Sequence, residues 1–123
     1  MYITITAIHK FGGEKPFRVR NLLKLVKDKN NDHDDEAIAV EMRFAGKVGY
    51  VANSTKTVIR GTMSAGRVYD KLTDEDYAEV KFYSNGFVIA KILTSEEIDE
   101  LRKDKDNDIN FLSDTSNNNI QRK

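Results

Sequence analysis

The fold is decided by the stretch Asn31-Asp32-His33-Asp34-Asp35-Glu36-Ala37-Ile38-Ala39-Val40, which is answered by Lys47-Val48-Gly49-Tyr50-Val51. Its first six residues are polar and mostly acidic, which favours an exposed loop. Residues 37–42 then alternate with the two-residue period of a strand that has one buried face. Phe44-Ala45-Gly46 predicts a turn, and residues 47–51 predict the return strand of a hairpin. The sequence therefore predicts an acidic loop at the rim of a β-sheet.

The chain has 123 residues and no cysteine. This length suits one hydrophobic core rather than two. Without cysteine there is no disulfide, no thiolate nucleophile and no sulfur ligand for zinc. No apolar run approaches the roughly 20 residues that span a bilayer, and the N-terminus lacks the layout of a signal peptide. We therefore expect a cytoplasmic domain with no membrane partner.

The 20 basic and 20 acidic side chains give a net charge of zero, but they are unevenly distributed. Residues 1–31 carry seven basic and two acidic side chains, a balance of +5, whereas residues 94–123 carry five basic and eight acidic ones, a balance of −3. This asymmetry permits a basic face for nucleic acid. Charges that merely solvate exposed strand faces are the commoner explanation of such a pattern.

Short apolar runs predict further strands over residues 2–8, 17–20, 22–27, 77–83 and 87–93, the last two joined by Ser84-Asn85-Gly86. Helix-start residues at 53–54 and a glycine stop at Gly61 predict one or two helical turns. Residues 66–72 are compatible with either an edge strand or an irregular segment. A second helix begins at Thr94 or the following serine, with acids in its first turn and bases in its last.

These elements predict an all-β or β-dominated fold, a small OB-like barrel of about six strands with one or two short helices and a C-terminal helix. The pattern alone does not separate this barrel from an SH3-like one. We expect the barrel domain to span residues 1–93 and the C-terminal helix residues 94–103. Residues 104–123 predict a polar, disordered tail, apart from a contact made by Phe111-Leu112.

The sequence gives little support to catalysis or to metal binding. Asp28-x-Asn30-x-Asp32 is spaced like a calcium loop, but His33 and Ala39 stand where that loop requires glycine and glutamate. A carboxylate beside the imidazole of His33 could give a general base and the group that orients it. However, the sequence has no nucleophile elbow, phosphate-binding glycine loop or metal dyad to accompany them. We expect no enzyme activity, no cofactor and no structural metal. Phosphoester hydrolysis with a divalent ion at Asp32, Asp34 and Asp35 is the least favoured alternative.

Four residues have the chemistry of a single-strand binder, which needs cations for phosphates and planar side chains for bases. They are Lys10, Phe11, His33 and Tyr50, provided that their loops converge at one end of the barrel. Each also has a structural alternative. Phe11 could plug the end of the core, and Tyr50 could be an ordinary core or rim residue.

The order Asn31, His33-Asp34, Ala37-Ile38-x-Val40 and Val48-Gly49-Tyr50-Val51 resembles the HIRAN domain family. Members of that family typically read Asn-Pro-Tyr-Asp-x-Asn-Ala-Ile-x-Val, followed by Val-Gly-Tyr or Val-Gly-His. The likeness extends from about Ile3 to Leu93 and implies a modified OB-like barrel. HIRAN domains of fork-remodelling helicases capture the free 3′ end of single-stranded DNA. The resemblance therefore implies a stand-alone binding module for single-stranded DNA or 3′ DNA ends in DNA repair or processing, with a helicase or nuclease as partner.

The resemblance also implies which residues stack on bases. Lys10 and Phe11 fall where the helicase subgroup has adjacent tyrosines, and His33 falls on its stacking tyrosine. Tyr50 occupies the last position of the Val-Gly-Tyr or Val-Gly-His step. His33 is a weaker stacking platform than tyrosine, and its charge depends on the acids around it.

The resemblance also implies which residues lie at the 3′ end of the DNA and at its phosphates. Asp34 falls on the aspartate that receives the 3′ hydroxyl, and Asn53 takes the place of a phosphate-contacting lysine. Lys56, one turn later, could replace the missing charge. Glu36 stands where the family has asparagine and adds negative charge. These departures keep the aspartate but weaken the stacking and electrostatic parts of the site.

The alternative function is a protein-interaction or scaffolding module without useful DNA affinity. It follows from the neutral net charge, the acidic loop and the acidic tail, each of which opposes a phosphate. Salt distinguishes the two functions, because phosphate binding weakens steeply with salt and apolar protein contacts do not.

Overall fold

A computed structural model of the chain describes residues 1–73 and 76–113. Six strands form a closed antiparallel barrel in the order β1-β4-β3-β2-β5-β6. The strands are β1 Tyr2–Thr6, β2 Leu22–Lys27, β3 Ile38–Met42, β4 Gly46–Val51, β5 Asp76–Tyr83 and β6 Val88–Ile92. The predicted β-dominated barrel of about six strands is confirmed.

The barrel interior is filled by one side of each strand, as the alternation in the sequence predicts. The fully buried side chains of this core include Ile3 and Ile5 of β1, Leu23 of β2, Ile38 and Val40 of β3, Val48 of β4, Val80 of β5 and Val88 of β6. Phe17 joins the same core, but the strand predicted over residues 17–20 is wrong. Arg20 has a φ of 78°, and the amide of Asn21 bonds to the carbonyl of Arg18, so this segment is a turn that inserts one aromatic ring.

The helix predicted over residues 53–61 is also wrong. The amides of Thr57 and Val58 share the carbonyl of Ser54, and the amide of Ile59 then donates to the buried hydroxyl of Thr4 at 3.1 Å. That bond holds the segment against β1, so it cannot continue as a helix. Helix α1 forms instead at Ala65–Tyr69, within the segment for which the sequence allowed only a strand or irregular chain.

Helix α2, Ser95–Arg102, forms as predicted and begins with a capping box between Thr94 and Glu97. The prediction of a disordered tail is wrong for its first part, because α3 forms at Asp108–Ser113. Ile109 and Leu112 are buried in a second small core, against Leu22, Tyr77 and Leu93. Residues 114–123 lie outside the described residues. None of the described helices is long and apolar enough to cross a membrane.

Candidate nucleic-acid interface at the barrel rim

The acidic loop before β3 is shaped by its own side chains. The Asn31 side-chain oxygen accepts from the amides of His33 at 2.9 Å and Asp34 at 3.0 Å, and Asp34 Oδ1 accepts from the amide of Glu36 at 2.9 Å. The amide of Asp28 bonds to the carbonyl of Ala37 and closes the base of the loop. Asparagine and aspartate are suited to such turns because their short side chains mimic backbone acceptors. Some of the polar side chains in this loop therefore stabilise its conformation.

Tyr50 lies on β4 between β3 and β1, opposite Ala39 and Thr6. Its hydroxyl donates to Asp28 Oδ2 at 2.9 Å and accepts from Lys47 Nζ at 3.0 Å. The bond from Tyr50, with smaller contributions from Asn31 and Lys47, lowers the pKa of the Asp28 carboxyl. The same hydroxyl, helped by nearby negative charge, raises the pKa of Lys47. An anion and a cation thus fix the hydroxyl end of the ring.

Phe11 is brought to Tyr50 by a single 3₁₀ turn, Ile8–Phe11, which follows β1. The two ring centroids are 6.1 Å apart and the planes are tilted by 53°, within the range of favourable aromatic pairs. Gly49 permits this approach. A Cβ there would lie 2.8 Å from the backbone oxygen of Thr6 and 3.2 Å from Cγ2 of Ile8. The glycine of the Val-Gly-Tyr step is therefore required for the 3₁₀ turn to sit against β4.

Asp34 and Asn53 are also brought together. Asn53 Nδ2 donates to Asp34 Oδ2 at 3.1 Å, and Asn53 Oδ1 accepts from the amide of Gly66 at 2.8 Å. The Glu36 carboxylate lies so close to Gly66 that a Cβ there would be 2.7 Å from it. Asn53 thus ties the acidic loop to α1 and orients Asp34. One N–H and the side-chain oxygen of Asn53 make these bonds, at a position where the helicase subgroup has a phosphate-contacting lysine.

Lys10, His33 and Lys56 are exposed. Lys10 precedes Phe11, His33 precedes Asp34, and Lys56 lies in the turn after β4. Among the described residues, none of these three side chains makes a hydrogen bond or ring contact that fixes it at the rim. Within the same ranges, no three potential metal-ligating side chains are gathered at one place.

Sequence reasoning missed Asp28 and Lys47 as site residues. Asp28 was considered only as part of a failed calcium loop, and it lies 22 residues from the hydroxyl that it binds. Lys47 reaches Tyr50 because both side chains lie on the outer face of β4, where the register shifts at Val40/Glu41. Only the register of the folded barrel reveals either contact. Asn31, by contrast, was already marked by the loop motif.

The fold and the rim together define a small OB-like barrel that carries an aromatic pair and an amide-held carboxylate at one end. The sequence model of the HIRAN domain family matches residues 1–71, more than half of the chain. The chain therefore belongs to the HIRAN domain family, and the resemblance noted in its motifs is confirmed.

Among solved structures, the HIRAN domain of human HLTF has a similar fold, with a TM-score of 0.55 and 18% sequence identity. The alignment covers 84% of this chain and 86% of that chain. No curated protein sequence matches this chain significantly.

Proposed function

We propose that this chain is a non-enzymatic module that binds single-stranded DNA, and its 3′ end in particular, at the rim built around Tyr50. The observation that carries the proposal is the Phe11–Tyr50 ring pair, joined through Asp28 and Asn31 to the loop that presents Asp34, in a HIRAN domain. Such a rim offers a stacking surface and a hydrogen-bond acceptor.

The aromatic pair supports base stacking. Both rings are half-buried, so each is anchored in the barrel and still has surface to offer. Stacking on an aromatic side chain is worth about 1–3 kcal/mol per base and tolerates any base, because every base has a π-face. Asp28 and Lys47 hold Tyr50 before a ligand arrives, which reduces the entropy that binding must remove.

The hydrogen bonds of the Asp34 carboxylate support recognition of a DNA strand that ends in a 3′ hydroxyl. Each carboxylate oxygen accepts one hydrogen bond, Oδ1 from the amide of Glu36 and Oδ2 from Asn53 Nδ2. A carboxylate offers about four acceptor sites, so capacity is left for one more donor. A 3′ hydroxyl supplies that donor. A 3′ phosphate supplies none when ionised and brings its negative charge towards Asp34 and the exposed Asp35.

Fluorescence anisotropy with two matched strands tests the proposal. One labelled strand ends in a 3′ hydroxyl and the other in a 3′ phosphate, and both are titrated with the protein at low salt. We expect the hydroxyl strand to bind more tightly and Asp34→Asn to reduce the difference. Equal affinities would leave only a general single-strand surface. Absence of binding to either strand would overturn the proposal.

A second experiment tests the stacking residues. The double variant His33→Ala/Tyr50→Ala should lose about tenfold or more in affinity if these side chains stack on bases. Tyr2→Ala is the matched control, because Tyr2 is an exposed aromatic on β1 that pairs with Lys91 away from the rim. Unchanged affinity of the double variant would refute the site assignment. Equal losses in both variants would indicate a non-specific effect of removing aromatic surface.

One observation favours the alternative function, a protein-interaction module. Asp32, Asp35 and Glu36 are exposed beside the rim and oppose phosphates. If Lys10, Lys47 and Lys56 each contact a phosphate, log affinity should fall with log salt at a slope of about −2 for a single strand. Binding of a protein partner with no DNA affinity at any salt would favour the alternative.

We also propose that the module acts in DNA repair or processing beside a helicase or nuclease. A domain that holds an end without altering it serves an enzyme that moves or cuts the same strand. The test is whether the purified protein changes the rate of a helicase or nuclease on a 3′-ended strand, and whether Asp34→Asn removes that change.

A further inference from the structure

Phe44 lies at the tip of the β3–β4 hairpin in a position that folding does not explain. It is 92% exposed, and its φ of 72° is in the left-handed region that side-chain-bearing residues avoid. Glycine or asparagine would fit this backbone with less strain, and either would remove a large apolar ring from water. Phe44 therefore exposes an aromatic ring to solvent and lowers the stability of the fold. Strained backbone positions of this kind are concentrated at functional sites.

The ring of Phe44 is in contact with the guanidinium of Arg43. The guanidinium carbon of Arg43 lies 4.3 Å from the centroid of Phe44 and 3.4 Å from that of Phe111. Arg43 Nη1 also donates to Asp108 Oδ1 at 3.1 Å, which ties the stack to α3. Phe44 is thus supported by a guanidinium that also lies over the ring of Phe111. Asp108 offsets part of the charge of Arg43, so this place suits stacking better than phosphate binding.

Phe44 and the proposed rim lie on the same hairpin, Phe44 at its tip and Tyr50 on β4. Met42 pairs with Gly46 beside the tip, Glu41 pairs with Lys47 further along, and Ala39 pairs with Tyr50 at the rim. Four residue steps separate Gly46 from Tyr50, at most roughly 13 Å of strand. Lys47 is exposed between the two ends, on the same face as Tyr50, to which it bonds. The hairpin therefore carries an aromatic ring at its tip, then a cation on its outer face, then an aromatic pair at the rim.

We infer that Phe44 is a second base-stacking subsite for a single-stranded nucleic acid whose 3′ end occupies the rim. Alternating aromatic and cationic groups along one path is the arrangement by which single strands are bound. In this arrangement Lys47 faces the phosphates between the two subsites, and Phe44 takes a base further towards the 5′ side. The inference rests on the proposed function, since it extends the same strand beyond the rim.

Strand length provides the test. The full chain is titrated with two labelled strands that end in a 3′ hydroxyl, one of about four nucleotides and one of about twelve, which bracket the usual site sizes on OB-like barrels. Phe44→Asn should weaken binding of the longer strand about tenfold and leave the shorter strand unchanged. Phe44→Tyr should bind both strands like the wild type. Thermal unfolding should show that Phe44→Asn is at least as stable as the wild type, which excludes misfolding as the cause.

The outcomes separate this inference from the proposed function. If the wild type binds both strands and Phe44→Asn alters the affinity for neither, the second subsite is refuted and the proposed function of the rim is retained. The exposed ring then serves another contact, such as one with a protein. Equal losses on the short and long strands would also refute a separate subsite. If the wild type binds neither strand, the proposed function fails and the subsite fails with it.

Discussion

Replacing Tyr50 with phenylalanine should separate the two tasks of this side chain, because the ring stays and the hydroxyl goes. The variant loses the bond to Asp28 at 2.9 Å and the bond from Lys47 at 3.0 Å. Hydrogen bonds to charged groups contribute about 1.5–3 kcal/mol each when water is excluded. Lys47 is exposed and Asp28 is only half-buried, so solvent screening reduces the expected total loss to about 1–2 kcal/mol. Urea unfolding of the two proteins near neutral pH measures it.

The same substitution should alter how stability depends on pH. In the folded chain the Tyr50 bond is the main cause of the lowered pKa of Asp28, whose ordinary value is 3.8. A carboxyl with a lowered folded pKa stabilises the fold above its unfolded pKa, and this contribution is lost as pH falls through the folded pKa. The stability gap between wild type and Tyr50→Phe should therefore narrow below about pH 4. Carbon-13 titration should show the pKa of Asp28 rising in the variant.

DNA binding should respond differently from stability. Tyr50→Phe should lose about threefold in affinity, because the freed ring must be ordered again on binding. Tyr50→Ala should lose about tenfold or more, because the stacking surface itself is removed. Equal losses in the two variants would show that the ring does not stack on a base. An unchanged unfolding free energy and an unchanged Asp28 pKa in Tyr50→Phe would refute the hydrogen-bond network.

Three further perturbations test the support of the rim and the C-terminal helix. Gly49→Ala places a Cβ 2.8 Å from a β1 backbone oxygen and should cost about 1–3 kcal/mol in urea unfolding, whereas Gly86→Ala, with nothing within 4 Å, should change little. Asn53→Ala leaves an amide and a carboxylate oxygen without their partner, so we expect a loss of about 1–3 kcal/mol in stability and a weaker preference for a 3′ hydroxyl in anisotropy titrations. The pKa of Glu97 is lowered to about 2 by Lys91 and by an amide at the start of α2. Its contribution to stability is present above about pH 4.5 and lost as pH falls towards 2, so melting temperatures of Glu97→Gln should fall less steeply across that range than those of the wild type.

The barrel could be predicted because its strands are specified locally. Ile38 and Val40 alternate with smaller residues, and each hairpin has its own turn signal, so period and turns agree over most of the chain. The segment after β4 could not be predicted, because its backbone is captured by Thr4, 55 residues before Ile59. Helix α3 could not be predicted for the same reason. Ile109 is buried only because distant strands supply an apolar surface, so the polar composition around it gave the wrong answer.

The site was predictable to the extent that residue type carries its chemistry. Phe11 and Tyr50 could be chosen as planar side chains near one end of the barrel, and the structure does bring them together. The partner of the Tyr50 hydroxyl could not be predicted. The hydrogen bond from this hydroxyl to Asp28 depends on a strand register that the local sequence does not encode. Asn53 was identified by its position in the motif. Its bonds to Asp34 and to the Gly66 amide of α1 depend on tertiary structure and could not be predicted from the motif.

Under the proposed function, the acidic loop, whose charge opposes phosphates, contributes to the selectivity of the rim. Asp28 and Asp34 are committed to Tyr50 and Asn53, so their charges build the site instead of forming a bare negative surface. Asp32 and Asp35 stay exposed and penalise any phosphate that passes through the loop. An internal nucleotide would have to bring phosphates on both sides, whereas a 3′-terminal nucleoside brings one phosphate and leaves a neutral hydroxyl on the other side. We therefore expect these acids to weaken binding of continuous strands more than binding of ends. Under the proposed function, a chain of zero net charge favours ends because stacking supplies most of the affinity and the carboxylates supply the discrimination.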